Sequence, residues 1–404
     1  MTIFLFAKQI IDMLYQYRFL DYAMVVFMTL LCLYQFCLIR PGLRRIQWVD
    51  ILVLIIMVLF TLSWLRKPSG YEIYFKLISA CMIYYLGRLY SERIKECYQA
   101  LVWAAYIVVY INFFHRIYRQ SYHLFSSIGE EGELFYYKTD LAFAMLLASI
   151  FLFFLAKRSL LKYITLFLII PYMVLYSSAR TQQALLVLIY VLLFLAYREQ
   201  KTGILQKINW KLLLVTGSAV VVGVLLLLVA PQISFFQKLG MNWGLDISQG
   251  FFTEENMVIR HESWNGIMKY FAEQPFWTRL WGIDLYSDYL HNSINQSTQS
   301  MYIKLLYSIG YIGSIAGVML IIAFTLKLKK IETERTSFYI SMSVWLLFLG
   351  SGVTVNSHEY TQMSWFPMMF FGLVVSGIQG EDPVELLEVE KLKEEAEGKT
   401  NVEE

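Results

Sequence analysis

Charge is what this sequence has least of. Only 16% of its 404 residues are Asp, Glu, Lys or Arg, whereas an ordinary soluble domain carries about 25%. The shortage, with 58% hydrophobic residues and a mean hydropathy of +0.52, excludes a soluble globular chain and implies an all-α polytopic membrane protein. Cysteine is also sparse: Cys32, Cys37, Cys81 and Cys97 lie in or beside apolar runs. They offer neither a disulfide framework nor a Cys-x-x-Cys metal spacing. A cleavable signal peptide is missing: Lys8 is followed by no small-residue cleavage site, so the first membrane segment is expected to direct targeting. The net charge of +3 gives no reason to expect a nucleic-acid partner.

What is present is a series of apolar stretches. A helix crossing about 30 Å of hydrocarbon needs about 20 apolar residues. Stretches 18–39, 48–65, 71–89, 97–114, 140–156, 161–178, 181–197, 212–230, 301–326, 336–355 and 361–379 meet this requirement. The expectation is about eleven transmembrane helices, in the range ten to twelve. Residues 1–17 read as an interfacial helix or a short further span. Residues 1–230 would hold helices one to eight, 231–300 one large polar loop, 301–379 the last three helices, and 380–404 an acidic solvated tail. Most of the abundant tyrosines and tryptophans fall near span ends, as in an interfacial belt. Gly313 and Gly317 have the spacing that lets a neighbouring helix approach closely.

The links alternate in sign. Arg40, Arg44 and Arg45 form one basic link. Arg88, Arg93 and Lys95 form the next, followed by Lys157, Arg158 and Lys162, then Arg198, Lys201, Lys207 and Lys211, and finally Lys327, Lys329, Lys330 and Arg335. Links 66–70, 115–139, 179–180, 231–300 and 356–360 are poorer in Lys and Arg for their length. Basic links stay cytoplasmic. The large loop is therefore expected on the extracytoplasmic side and the C-terminus in the cytoplasm.

Three positions on the outer side carry candidate chemistry. Arg180 sits in a near-zero-length turn, Ser177-Ser178-Ala179-Arg180-Thr181, where a charge at membrane depth is costly unless paired or hydrated. Read alone, it is as well explained by an interfacial anchor. Arg260 and His291 lie on the large loop. An arginine offers a planar fork suited to phosphate oxygens, and a histidine exchanges a proton near neutral pH. Each alone reads as a solvated side chain, and His358-Glu359 reads as an ordinary polar turn. The loop tryptophans, among them Trp243, Trp264, Trp277 and Trp281, read mainly as packing of the loop, with sugar stacking the other option.

Taken together, these stretches resemble the O-antigen ligase and Wzy-type polysaccharide polymerase superfamily of bacteria. Ser-Ala-Arg-Thr followed by an apolar span resembles its Ser-Arg turn. Arg260 with Trp264, then Pro275 and Trp281-Gly282-Ile283-Asp284, resembles its Arg-x-x-x-Trp and Pro-x-x-Gly-x-Gly region. His291-Asn292, then Tyr302 and Gly310-x-x-Gly313, resembles its closing motif. Two departures stand out: Phe276–Leu280 replaces the glycine-rich turn, and Ser308 stands where an acidic residue often precedes the glycine.

The resemblance implies a GT-C-like, inverting, metal-independent glycosyltransferase of the bacterial cytoplasmic membrane. Its substrates would be polyprenyl (undecaprenyl) diphosphate-linked oligosaccharides, and its partners membrane lipid and the chain-length regulator and flippase proteins of the same pathway. Arg180 and Arg260 would hold the diphosphate, and His291 would orient or deprotonate the acceptor hydroxyl. Trp264, Asn292, Glu262, Asp284 and Asp288 would assist at the substrate. No metal or cofactor is implied: with no Asp-x-Asp pair in the sequence, a metal-held nucleotide-sugar site lacks obvious ligands, and fixed cations must meet the charge of the leaving group. The same residues would serve a repeat-unit polymerase or a ligase that transfers the finished glycan to an acceptor such as lipid A core. A transporter or flippase would instead predict charges inside the spans and paired broken helices.

Overall fold

The computed structural model describes residues 1–13, 18–38, 46–91, 94–123, 138–177, 179–202, 255–291, 298–328 and 335–376. Among the described residues the regular structure is entirely helical. The expected apolar stretches all coincide with helices within a few residues, apart from 212–230, which lies outside the described residues along with residues 231–254 of the large loop and the whole 380–404 tail. The helices are α1 (Thr2–Ile11), α2 (Arg18–Leu38), α3 (Trp48–Arg66), α4 (Tyr71–Leu89), α5 (Ile94–His123), α6 (Lys138–Leu155), α7 (Leu160–Tyr176) and α8 (Arg180–Thr202). After them come α9 (Glu255–Glu273), α10 (Phe276–Trp281), a 3₁₀ turn (Ser287–His291), α11 (Met301–Leu328), α12 (Arg335–Ser351) and α13 (Thr361–Ser376). Among the described residues four segments, Trp48–Arg66, Ile94–Tyr118, Arg180–Tyr197 and Met301–Leu328, are long and apolar enough to cross a membrane.

The centre of the bundle is α13, almost every residue of which is buried. Glycines let α4 lie directly on it: a Cβ at Gly87 would run into the backbone of Met369, and one at Gly372 into that of Tyr84. Small residues at such crossings let two backbones touch and gain dispersion contacts, which is how helices associate where lipid removes the hydrophobic drive. Trp365 of α13 donates from Nε1 to Ser79 Oγ at 2.9 Å and stacks on Phe4 at 5.7 Å. That stacking draws α1 inward. Phe4, Leu5 and Lys8 are buried, so α1 is a core element and does not lie on a surface.

Helix α7 contains a π turn over Thr165–Ile169, immediately before Pro171. Proline cannot donate the ordinary helical hydrogen bond, and the wider turn absorbs the fault. A hydroxyl from Tyr190 donates to the Leu166 carbonyl at this point. Helix α11 breaks at Gly310, whose φ of +64° and ψ of −163° are non-helical. Gly282, at φ +86°, lies against it: a Cβ at Gly282 would strike the Ser308 backbone, and one at Gly310 would strike Gly282 N. Both conformations favour glycine. Ile283 N donates to Tyr307 O at 2.8 Å and Ser63 Oγ to Ser308 O at 2.7 Å, which ties the α10 end to α11 and α3. The close approach at α11 is therefore made by Gly310. Gly317 has nothing within 4 Å of its Cβ position, contrary to the reading of the 313/317 pair.

Hydrogen bonds join the links in two groups, one at each end of the bundle. At one end Gln47 Nε2 donates to Val375 O (2.9 Å), Lys327 donates to Gln47, and Tyr98 meets Ser337 (2.8 Å). At the other end Arg66 donates to Gly282 O, and Thr181 meets Thr354 (2.6 Å). These groups match the basic and the less basic links read from the sequence.

Candidate functional site

The second end of the bundle is where the expected residues lie. It is built on four pieces: the first turn of α8, the helix α9, residues 282–291 with 298–304, and the 352–360 turn. Arg180 opens α8 beside Ser177, whose hydroxyl accepts from Ala179 N at 3.3 Å. Next to it, Thr181 binds Thr354. Arg116 stacks on Tyr176, 3.2 Å from the ring centroid, bringing a further cation to the same end.

Arg260 and Trp264 stand four residues apart, hence on one face of α9, and both turn to the segment before α11. Arg260 Nε donates to Gln299 Oε1 at 3.0 Å, and Trp264 Nε1 donates to Thr298 O at 2.6 Å. Burial, followed by the positive charge of Arg180, lowers the Arg260 pKa from its ordinary value. The two cations therefore act on one another electrostatically. An anion bound between them would meet favourable charge from both. Glu262 lies on the exposed side of the same helix.

His291 ends the 3₁₀ turn and stacks flat on Tyr270 of α9, with ring centroids 3.7 Å apart and planes 5° from parallel. Burial pulls its pKa below the ordinary value, with Lys67 acting in the same sense and Asp284 and Asp288 against it. The neutral imidazole therefore prevails at neutral pH, the form a proton acceptor needs. Ten residues of α9 separate Tyr270 from Arg260, about 15 Å of helix. Arg180 is thus grouped with Arg260, and His291 with Tyr270 at the far end of the same helix.

The two aspartates are occupied by the fold. Asp284 accepts from Tyr286 N (2.8 Å), Ser287 N (2.6 Å) and the Ser287 hydroxyl, capping the 3₁₀ turn. This is the usual use of an aspartate at a helix start. Asp288 accepts from Thr298 N (2.9 Å), the Thr298 hydroxyl and Lys304 Nζ. Burial would raise its pKa, but the charge of Lys304 and these hydrogen bonds leave it below the usual carboxylate value. Asn292 and Trp243 lie outside the described residues.

Sequence reasoning missed the group behind this face. Lys304, 2% exposed, lies between Asp288 and Glu359, with its Nζ 3.7 Å from Glu359 Oε1. His358 and Glu359 are buried, so they are not an ordinary polar turn. Burial and then the charge of Lys304 push His358 down to about 3, against the pull of Asp288. Burial raises the Glu359 carboxyl, despite the nearby Lys304. The available signal was a lysine in the first turn of an apolar span, a position where charge is rare unless it is paired. The sequence also understated the charge within the bundle elsewhere: Lys8 pairs with Asp12, and Gln362 Nε2 donates to Asp140 Oδ2 at 2.9 Å.

Among the described residues, no group of three or more His, Cys, Asp or Glu is placed to hold a metal ion. No family model matches the chain, and no curated protein matches it.

Proposed function

We propose that this protein is a polytopic glycosyltransferase of the bacterial cytoplasmic membrane, with about eleven spans, a large extracytoplasmic loop and a cytoplasmic C-terminus. It polymerises polyprenyl diphosphate-linked repeat units of a surface polysaccharide: a capsule, an exopolysaccharide or an O-antigen. The observation that carries this reading is that Arg260, resting on the neutral Gln299 and under the electrostatic influence of Arg180, stands at the end of the bundle that also holds the neutral His291.

The chemistry follows from charge. An acceptor hydroxyl gives its proton to the His291 imidazole. Its oxygen attacks the anomeric carbon as the bond from that carbon to the diphosphate oxygen breaks. The electron pair leaves on the diphosphate, and the configuration inverts. Fixed cations stabilise negative charge as it develops, without reorganising; Arg180 and Arg260 take that role. An in-line displacement puts base and leaving group on opposite sides of the reacting carbon, so the substrate has to lie along α9 between Arg260 and His291. Trp264 holds the frame, through Thr298, on which Arg260 rests.

The test is the size ladder of the surface glycan in a deletion strain complemented with wild type, Arg260→Ala or His291→Ala. Both lipid-linked and cell-attached material are scored. Single repeat units left on the carrier, with no ladder, are expected. Long polymers held on the carrier and absent from the final acceptor would mean a ligase. A ladder unchanged by the deletion would sink the glycosyltransferase reading.

A further inference from the structure

Gln299 is, among the described residues, the one non-glycine residue with positive φ, at +46°. Such a conformation is unfavourable for a side chain as long as glutamine and persists only when its surroundings impose it. Here they do so from both sides. Before it, Thr298 is pinned by its N–H and hydroxyl to Asp288 and by its carbonyl to Trp264. After it, Ser300 O accepts from Lys304 N at 3.0 Å, and Met301 N donates to Gly352 O at 2.8 Å. Asp288 and Lys304 are themselves a buried ion pair. Between these fixed points the Gln299 side chain presents Oε1 to Arg260 Nε. That bond uses the inner edge of the guanidinium and leaves its two terminal nitrogens for a ligand, the pair that suits phosphate oxygens.

We propose that Gln299 is a positioning residue, held in its left-handed conformation by the Asp288–Lys304–Thr298 anchor, that aims the terminal edge of Arg260 at the substrate diphosphate. The inference rests on the reading of Arg260 as a diphosphate ligand. A neutral amide fits this role, because a carboxylate in its place would neutralise the cation that the diphosphate needs.

The experiment uses the full-length protein in lipid nanodiscs with farnesyl diphosphate as the probe and farnesol as the control. Affinity and thermal midpoint are measured for wild type, Gln299→Gly, Arg260→Ala and the double variant. Glycine adopts positive φ without steric cost, so Gln299→Gly is expected to leave the midpoint in place while weakening binding about tenfold, the scale of one hydrogen bond to a charged group. In the Arg260→Ala background the same change should cost nothing further, since neighbours acting through one another are not additive. Gln299→Asn tolerates the backbone but is too short to reach Arg260, and should behave like Gln299→Gly; it serves if the glycine variant does not fold. Wild-type affinity in Gln299→Gly or Gln299→Asn, or a loss that adds to that of Arg260→Ala, overturns the proposal. Wild-type affinity in Arg260→Ala removes the diphosphate reading itself, and this inference with it.

Discussion

The two ends of the bundle each bury an ion pair, and they use it differently. At the end with the basic links, Arg88 Nη2 meets Asp50 Oδ2 at 2.9 Å, and both side chains are buried. Tyr84 donates to the other oxygen of Asp50 at 2.7 Å, and Arg88 Nη1 reaches Ser376 at 3.2 Å. The pair clamps α3, α4 and α13 together, with opposite charges matched inside it. At the other end, Lys304 and Asp288 also pair, but the same lysine lies 3.7 Å from a second carboxylate, Glu359. Glu359 Oε1 and His358 Nδ1 are buried without a hydrogen-bond partner, and Arg260 rests on the neutral amide of Gln299. Matched charge in a bundle fixes a helix crossing. An arginine held by a neutral amide keeps its charge for an anion, and such places are more often sites than staples.

The largest effects should separate these two roles. Removing one partner of a buried pair strands the other and costs about 3–5 kcal/mol. Asp50→Ala and Asp288→Ala should both lower the thermal midpoint on this scale. Glycan transfer per folded molecule should survive Asp50→Ala and fall in Asp288→Ala. Equal activity in the two folded variants would erase the distinction between the two ends.

Next in size is Arg260→Ala, expected to slow transfer by about 10²–10³-fold, the usual effect of removing one fixed group that stabilises transition-state charge. Its thermal midpoint should hold nearly unchanged, because the bond lost is one to the neutral amide of Gln299. A clear fall in the midpoint with transfer intact would assign Arg260 to the fold.

A smaller effect concerns pH. His291 acts as a base only when neutral, and its pKa lies below its ordinary value of 6.5 through burial. Transfer should therefore be level through neutral pH and fall as pH drops through that lowered pKa. In His291→Gln the residual rate should lack this acid limb. A limb that persists unchanged would belong to another group.

The smallest change is expected at Gly317. With nothing within 4 Å of its Cβ position, Gly317→Ala should gain up to about 1 kcal/mol of helix propensity, raising the thermal midpoint slightly. The same substitution at Gly310 should lower it sharply, since φ there is +64° and the Gly282 backbone occupies the space.

Much of the fold was legible because its signal is local. Apolar stretches long enough for helices, and the alternation of basic links, depend only on neighbours in sequence, and the helices and the two groups of links follow them. The candidate site was legible in part. Arg180, Arg260 and His291 stand out as polar residues in an apolar chain, and they lie at one end of the bundle. Asp284 and Asp288 were read as substrate helpers, yet their carboxylates cap a turn and hold a lysine, a distinction set by partners at Ser287, Thr298 and Lys304.

Composition and pattern by themselves determined that this chain is helical and membrane-like, which links share an end, and which few residues are candidates for chemistry. Only the tertiary structure decided that Gly87 and Gly372 bring α4 against α13, that Gly282 fits into the break at Gly310, and that Gln299 is forced to φ +46° beneath Arg260. The physical reason is range. Burial preference and helix formation act over a few residues along the chain, whereas a backbone collision, a buried ion pair or a strained φ requires segments far apart in sequence to meet within a few ångströms.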